Sequence, residues 1–183
     1  SLPTFVAEFD NCLVNSCPVL VTEDKHLITN HVWALVHKSR NQPHKSHKMW
    51  TEWGDKVDIN LPPVTKQFDE RNKFVWLPID EGSAENPWHV WIDVISKFRL
   101  MEKRWSTNFT KYIFILSNPS AYFDKVAKEL FPELKYLVVP KGETWKFQHL
   151  IVPSSSNHND GVLTPHLAPW LRHFKGRYGI VES

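Results

Sequence analysis

The 183-residue sequence predicts an α/β fold in which strands and helices alternate from residue 73 onward. Three helix starts carry the same signature, a capping residue followed by proline, at Asn86, Asn118 and Thr164. Continuous apolar runs, typical of buried strands, lie between these helix starts. This alternation favours a sheet with parallel strand pairs and helices on its faces, in which ligands gather beyond the carboxyl ends of the strands.

The first 72 residues are predicted to be a β-rich portion of the chain. Apolar runs at 18–21 and 26–28 flank the polar turn 22–25, which predicts a hairpin, and residues 32–36 could continue it. Residues 37–48 contain no hydrophobic residue and predict a solvated basic loop. We expect residues 1–72 and the β/α portion, 73–183, to form one compact domain together.

The β/α portion has its elements in a regular order. A strand at 74–77 precedes a helix that begins at Asn86-Pro87 and runs to about Arg104. A strand at 112–116 precedes a helix that is capped at Asn118-Pro119 and runs to about Phe131. Further strands are predicted at 136–139 and 150–152, and a third helix from 164 to about 175. The loop-like stretch 153–161 is a candidate flap beside a site.

Composition excludes several classes of protein. The sequence has 22 Lys and Arg against 20 Asp and Glu, which is far from the basic excess of a dedicated nucleic-acid binder. Its six glycines match neither a dinucleotide fingerprint nor a P-loop. No apolar run is long enough to span a membrane. Two cysteines, Cys12 and Cys17, weakly favour a reducing compartment, although one bridge between them remains open. Nine tryptophans are typical of a protein that binds planar or sugar-like ligands, or of an unusually tryptophan-rich core.

The segment 86–98, NPWHVWIDVISKF, is the most informative one for chemistry. His89, Asp93 and Lys97 recur every four residues, which places them in one polar stripe of an α-helix. In a functional interpretation, His89 faces a ligand from the first turn of the helix and Asp93 fixes its tautomer and raises its basicity. In the alternative interpretation, Asp93 and Lys97 form an ordinary ion pair and His89 is a core histidine.

The same segment resembles the N-x-x-H-W-x-x-D-x-L-P-R signature of the family-61 glycosyltransferases, a group of xylosyl-, arabinofuranosyl- and O-linked N-acetylglucosaminyltransferases. His89 and Asp93 match the signature. Lys97 stands in place of the usual Arg, Ser96 in place of Pro, and Val90 in place of Trp. The flanks at 75–78, 121–138, 147–154 and 171–174 also resemble family segments, so that the similarity extends over about residues 70 to 180.

The resemblance implies a Rossmann-like sheet with helices on both faces, as in the N-terminal domain of a GT-B enzyme. It implies an inverting, metal-independent transfer of a sugar from a nucleotide sugar to a hydroxyl of a glycan or glycoprotein, with no cofactor. His89 and Asp93 are then the coupled catalytic unit, and a substrate-binding role falls to four further residues: Asn86, Trp88, Lys97 and Asp80. A C-terminal donor-binding domain, a partner that the resemblance implies, is missing from the 183 residues.

Two alternatives remain open. Asp80 and Glu81, with Glu85 nearby, form an acidic cluster after a strand, where a single-domain metal-dependent glycosyltransferase would bind Mn²⁺ or Mg²⁺. A non-catalytic glycan-binding domain would keep the β/α framework and the tryptophans without meeting a donor. The sequence leaves the compartment unknown: a cytoplasmic location is favoured, and the sequon at Asn108 keeps the secretory lumen open.

Overall fold

The computed structural model of the chain describes residues 5–16, 19–28, 50–53, 56–79, 86–105, 109–117, 119–154 and 172. Eight of its strands form one mixed sheet, and helices follow two of them, so the chain is α/β as predicted. The strands of this sheet are β1 (Val6–Asn15), β2 (Leu20–Val21), β3 (Leu27–Ile28), β6 (Val64–Phe68), β7 (Phe74–Leu77), β8 (Ile113–Leu116), β9 (Tyr136–Val138) and β10 (Thr144–Pro153). Strands β4 (Trp50–Trp53) and β5 (Lys56–Ile59) pair with each other as an antiparallel hairpin, separate from the large sheet among the described residues.

Strand β10 divides the sheet into an antiparallel and a parallel half. The order is β3-β2-β1-β10-β7-β8-β9, and β6 also pairs with β10. On one side β1 runs antiparallel to β10 over the whole length of both strands, from Val6 opposite Pro153 to Asn15 opposite Thr144. On the other side β7, β8 and β9 all run parallel to β10. The predicted parallel pairs are therefore present, and so is the predicted hairpin, as β2 and β3.

Strands β6 and β7 share one edge of β10. β6 pairs with residues 144–147 of β10, and β7 pairs with it at Ile151, both in parallel. The turn between the two strands includes Asn72, whose φ of 54° lies in the left-handed region. The long strand β1 was not expected from the sequence, because exposed and half-buried polar residues interrupt its apolar ones.

A continuous helix at 87–105 follows β7, and its bounds agree with the prediction to within a residue. It begins as α1 (Pro87–His89) and ends as α2 (Ser96–Trp105). Between them the segment Val90–Ile95 is a π-helix, which the four-residue spacing of polar side chains did not reveal. A short 3₁₀ turn, Phe109–Lys111, precedes β8.

The helix after β8 is α3 (Ala121–Leu130). Its N-cap is Ser120, whose hydroxyl accepts a hydrogen bond from the backbone N–H of Phe123 at 3.1 Å. The prediction of a cap at Asn118-Pro119 was therefore wrong by two residues, since the serine that follows the proline caps the helix. The predicted continuation at 32–36, the basic loop at 37–48 and the third helix at 164–175, except Arg172, lie outside the described residues.

Two hydrophobic clusters cover the two faces of the sheet. The first contains Val75, Leu77 and Phe114 together with buried residues of both helices, namely Val90, Val94, Ile95, Phe98, Met101, Phe123, Val126 and Ala127. The second contains the side chains that alternate with these in the strands, among them Phe74, Trp76, Ile115, Trp145 and Phe147. Both described helices therefore pack on the same face. The predicted placement of helices on both faces is not tested by these two helices, and the third predicted helix, at 164–175, lies outside the described residues except for Arg172.

A buried histidine joins β10 to the turn before β7. His149 is 3% exposed, and its Nδ1 accepts a hydrogen bond from the backbone N–H of Asn72 at 3.2 Å. Because Nδ1 accepts, the proton of the neutral ring lies on Nε2, which is 3.3 Å from a carboxylate oxygen of Glu8 on β1. One side chain of β10 thus contacts both β1 and the turn between β6 and β7.

We predict that His149→Phe lowers the free energy of unfolding by about 0.5–1.5 kcal/mol, the usual net contribution of one hydrogen bond, because the Asn72 N–H loses its acceptor. His149→Asn is the matched control, since its amide oxygen lies close to the position of Nδ1 and can still accept. Urea unfolding of the three proteins measures the effect. Equal losses of unfolding free energy in the two variants would show that the hydrogen bond from Asn72 contributes nothing to stability and that the volume of the imidazole ring accounts for the effect.

A hydrogen bond between two side chains links α3 to β9. The Tyr136 hydroxyl donates a hydrogen bond to a carboxylate oxygen of Asp124 at 2.6 Å. This hydrogen bond, with partial burial and the negative charge of Asp124, raises the pKa of Tyr136 to about 12 from an ordinary value of 10.0. The stabilising effect is complete below pH 10 and is lost as the pH rises toward 12, because only the protonated phenol can donate.

We predict that Tyr136→Phe makes stability less dependent on pH between 10 and 12 than in the original protein. Urea midpoints measured across this range, with the absorbance of phenolate as a parallel readout, test it. In Asp124→Asn, which removes the carboxylate charge, Tyr136 should ionise closer to pH 10. An unchanged phenolate titration in that variant would contradict the assignment.

Candidate functional site

The carboxyl ends of the parallel strands form the edge at which ligands of open α/β sheets bind. β7 ends at Leu77, β8 at Leu116, β9 at Val138 and β10 at Pro153. The strand order reverses at β7, because β8 and β9 follow on one side of it while β10, which comes last in the chain, lies on the other. This edge, beside β7 and β10, is the candidate site.

Ser117 fixes the geometry of this edge. Its hydroxyl accepts a hydrogen bond from the backbone N–H of Ile79 and donates one to the carbonyl oxygen of the same residue, both at 2.7 Å. Ser117 is 2% exposed and Ile79 is 3% exposed, so neither group can turn to water instead. The segments that leave β7 and β8 are thereby held together just beyond the strands.

His89 lies in the first turn of the helix at 87–105, as predicted. The carbonyl of Asn86 accepts a hydrogen bond from the N–H of Val90 at 3.1 Å, which places Asn86 at the N-cap position. A helix that connects two parallel strands begins at the edge where the first strand ended. His89 therefore lies at the carboxyl edge, where it is half-buried, and Asn86 before it is exposed.

The π-helix changes how the predicted polar stripe is built. Hydrogen bonds from residue i to i+5 widen the turn, so residues four apart complete less than one turn there, instead of slightly more as in an α-helix. The interval from His89 to Asp93 lies in the wide segment, and half of the interval from Asp93 to Lys97 lies in the ordinary helix. The rotation about the helix axis over four residues falls short of a full turn in the π-helix and exceeds it in the α-helix. These two deviations partly cancel, so the backbone positions of the three residues stay in one stripe.

The six predicted site residues have different surroundings. Lys97 is only 2% exposed, and buried lysines are nearly always paired. Such a lysine stabilises the helix around the site more readily than it contacts a ligand arriving from solvent. Trp88 and Asp93 have described backbone positions in α1 and the π-helix, but their side chains lie outside the described residues. Asp80, with Glu81 and Glu85 of the metal alternative, lies outside them altogether.

Sequence reasoning missed Tyr122 as a site residue. The indole Nε1 of Trp91 donates a hydrogen bond to the Tyr122 hydroxyl oxygen at 2.9 Å, and both side chains are half-buried. Trp91 belongs to the helix that follows β7, and Tyr122 to the first turn of the helix that follows β8. The only signal in the sequence was that each residue lies shortly after a helix start that follows an apolar strand.

Other functional groups are few in the described part of the chain. Its residues contain no group of three or more His, Cys, Asp or Glu side chains arranged to hold a metal ion. Burial raises the pKa of the Cys12 thiol to about 12, so this free cysteine is unreactive near neutral pH, and Cys17 lies outside the described residues. No helix among the described residues is both long and apolar enough to cross a membrane.

Comparisons of the chain with protein-family models, with curated proteins and with solved structures found no match.

We predict that Ser117→Ala destabilises the protein by about 1–3 kcal/mol, because the buried N–H of Ile79 loses its acceptor. Ser120→Ala, at the start of α3, is the control. The Ser120 hydroxyl accepts one hydrogen bond as an N-cap, whereas the Ser117 hydroxyl both accepts and donates one, and loss of an N-cap costs about 1 kcal/mol. Urea unfolding compares the two. If Ser117→Ala were no less stable than the original protein, the serine would not be what holds β7 and β8 together at this edge.

Proposed function

We propose that this chain is a glycosyltransferase domain that binds the acceptor and helps transfer a sugar from a nucleotide sugar to a hydroxyl of a glycan or glycoprotein. The observation that carries the proposal is the position of His89, half-buried in the first turn of the helix that follows β7, at the carboxyl edge of the parallel strands. The parallel half of the sheet, with its two helices, is compatible with a Rossmann-like domain of the GT-B type.

The proposed reaction needs one general base. As the acceptor oxygen bonds to the anomeric carbon of the donor sugar, the bond from that carbon to the nucleotide phosphate breaks, and the hydroxyl proton must go to a base. Attack from the face opposite the leaving group inverts the anomeric configuration. In our proposal the His89 imidazole accepts this proton, and Asp93, one helix turn further along the same stripe, stabilises the resulting imidazolium.

The substrate-binding roles follow from position in the helix. Asn86 is exposed beside the first turn and can reach a sugar hydroxyl, while the buried Lys97 maintains the charge balance of the stripe. The assignments of Trp88 and Asp80 rest on the resemblance of the sequence motif. A donor-binding domain would supply the nucleotide-sugar site, because transfer requires donor and acceptor to be held in line.

A non-catalytic glycan-binding domain is the second candidate, and the half-buried pair of Trp91 and Tyr122 at the same edge favours it. The metal-dependent alternative at Asp80 and Glu81 stays a prediction. Binding of a nucleotide sugar only in the presence of Mn²⁺ would favour that alternative. Binding of free glycan without transfer, in the full-length protein supplied with donors, would favour the glycan-binding domain.

We predict that His89→Ala in the full-length protein lowers sugar transfer by about 10²–10⁴-fold, the usual contribution of a positioned general base. The fold should be intact, since His89 is only half-buried at the start of its helix. Transfer is measured by release of the nucleoside diphosphate from a panel of nucleotide sugars.

His26→Ala is the matched control. This histidine pairs with Asp24 in the exposed turn between β2 and β3, where its side chain is 74% exposed. Transfer should be unchanged in it. Transfer at the original rate in His89→Ala, with both variants folded, would overturn the proposed function.

A further inference from the structure

The hydrogen bond between Trp91 and Tyr122 joins the beginnings of the two helices that follow β7 and β8. The two strands are parallel neighbours, with Leu77 opposite Leu116, and both helices pack on the same face of the sheet. Trp91 and Tyr122 therefore lie above the carboxyl edge, between the two helix starts. Both side chains pack against the first hydrophobic cluster, and each is only half-buried.

The chemistry of this bond fixes the direction of the Tyr122 proton. An indole N–H can only donate, so the phenolic oxygen of Tyr122 must be the acceptor. The hydroxyl proton of Tyr122 is then available to a second acceptor, and within the described part of the chain the hydroxyl makes no other hydrogen bond. Accepting a hydrogen bond from Trp91 also polarises the phenol and strengthens its O–H as a donor.

The start of α3 disfavours an anionic ligand at this position. The Ser120 hydroxyl already takes up the N–H of Phe123, which would otherwise attract a phosphate at the helix N-terminus. The first turn of the helix also carries the carboxylate of Asp124, which repels negative charge. A neutral ligand with hydrogen-bond acceptors therefore fits the pair better than a nucleotide phosphate does.

We propose that Trp91 and Tyr122 form the binding site for a pyranose ring of the acceptor glycan. A sugar ring offers an apolar face to the aromatic surfaces and hydroxyl or ring oxygens to the Tyr122 O–H, and tryptophan and tyrosine both combine an apolar body with a polar edge. This inference rests on the proposed function only in identifying the bound sugar as the acceptor. The binding of a neutral sugar at this site can be tested without any transfer.

The test compares sugar binding in variants that remove single groups. The probes are methyl β-D-glucoside, methyl β-D-xyloside and methyl β-N-acetylglucosaminide, with UDP as the anionic comparison. Tyr122→Phe removes only the hydroxyl, and Trp91→Phe removes the indole N–H while retaining an aromatic ring. Tyr112→Phe is the matched control, because Tyr112 is a partly buried tyrosine immediately before β8, at the opposite edge of the sheet.

Binding is followed by the indole N–H resonances in NMR spectra, in which the Trp91 signal is identified by its loss in Trp91→Phe. We expect at least one of the three sugars to shift this signal in the original protein. Tyr122→Phe should bind that sugar at least tenfold more weakly, and Tyr112→Phe as well as the original protein does. Equal affinity in the two tyrosine variants would overturn the proposal, and so would a Trp91 shift caused by UDP alone.

Folding is checked in the same samples. The Trp91 N–H in Tyr122→Phe can turn to water because the pair is half-buried, so dispersed spectra are expected for both variants. If Tyr122→Phe proved unfolded, the folded Trp91→Phe variant would decide, with its sugar affinity measured by isothermal titration calorimetry because it lacks the Trp91 signal. A tenfold loss of sugar affinity relative to the original protein supports the site, and an unchanged affinity overturns it.

The outcomes separate this inference from the proposed function. Sugar binding that depends on Tyr122, in a protein that transfers no sugar, would contradict the glycosyltransferase proposal and leave the sugar site intact. Transfer that depends on His89, with sugar affinity indifferent to Tyr122, would do the opposite.

Discussion

The pairing of β10 with strands of both directions is the constraint on which the rest of this structure depends. β10 holds β1 antiparallel on one side and β6 and β7 parallel on the other. The contacts it makes are far apart in sequence: Glu8 and His149 are separated by 141 residues. Closing such long loops costs conformational entropy before strand pairing contributes any stabilising free energy. The complete sheet can therefore form only after β10, the last strand in the chain, has docked.

This arrangement also determines where the candidate site lies. β6 pairs with the first part of β10 and β7 with its later part, and the four buried residues of β7 are aligned by β10 and β8. Its carboxyl end is then fixed relative to β8 by the Ser117 hydroxyl. The alignment of β7 and β8 also positions the starts of the two helices that follow them, and with these His89, Trp91 and Tyr122.

Local patterns predicted β7, β8 and β9 and the hairpin of β2 and β3, and they missed β1 and β6. Apolar runs identified β7, β8 and the core of β10, because a strand buried on both faces is apolar throughout. The apolar run at β9 also marked a strand, although Leu137 and Val138 are exposed. β1 was missed because polar residues interrupt its apolar ones, and its pairing with β10, at the far end of the chain, cannot be inferred from the local sequence. Tyr122 was missed for a similar reason: its hydrogen bond with Trp91 joins the helices that follow two different strands, and no spacing in the sequence predicts that contact.

The π-helix shows how tertiary packing can override the local preference of a helix. Four of its six residues, Val90, Ile92, Val94 and Ile95, are β-branched, and such side chains crowd the preceding turn of an α-helix. A wider turn relieves the crowding at the expense of regular hydrogen bonds. Val90, Val94 and Ile95 remain buried against the sheet, and Trp91 reaches Tyr122. Apolar burial and one interhelical hydrogen bond therefore offset the loss, and the same irregularity keeps the backbone of His89 aligned with that of Lys97.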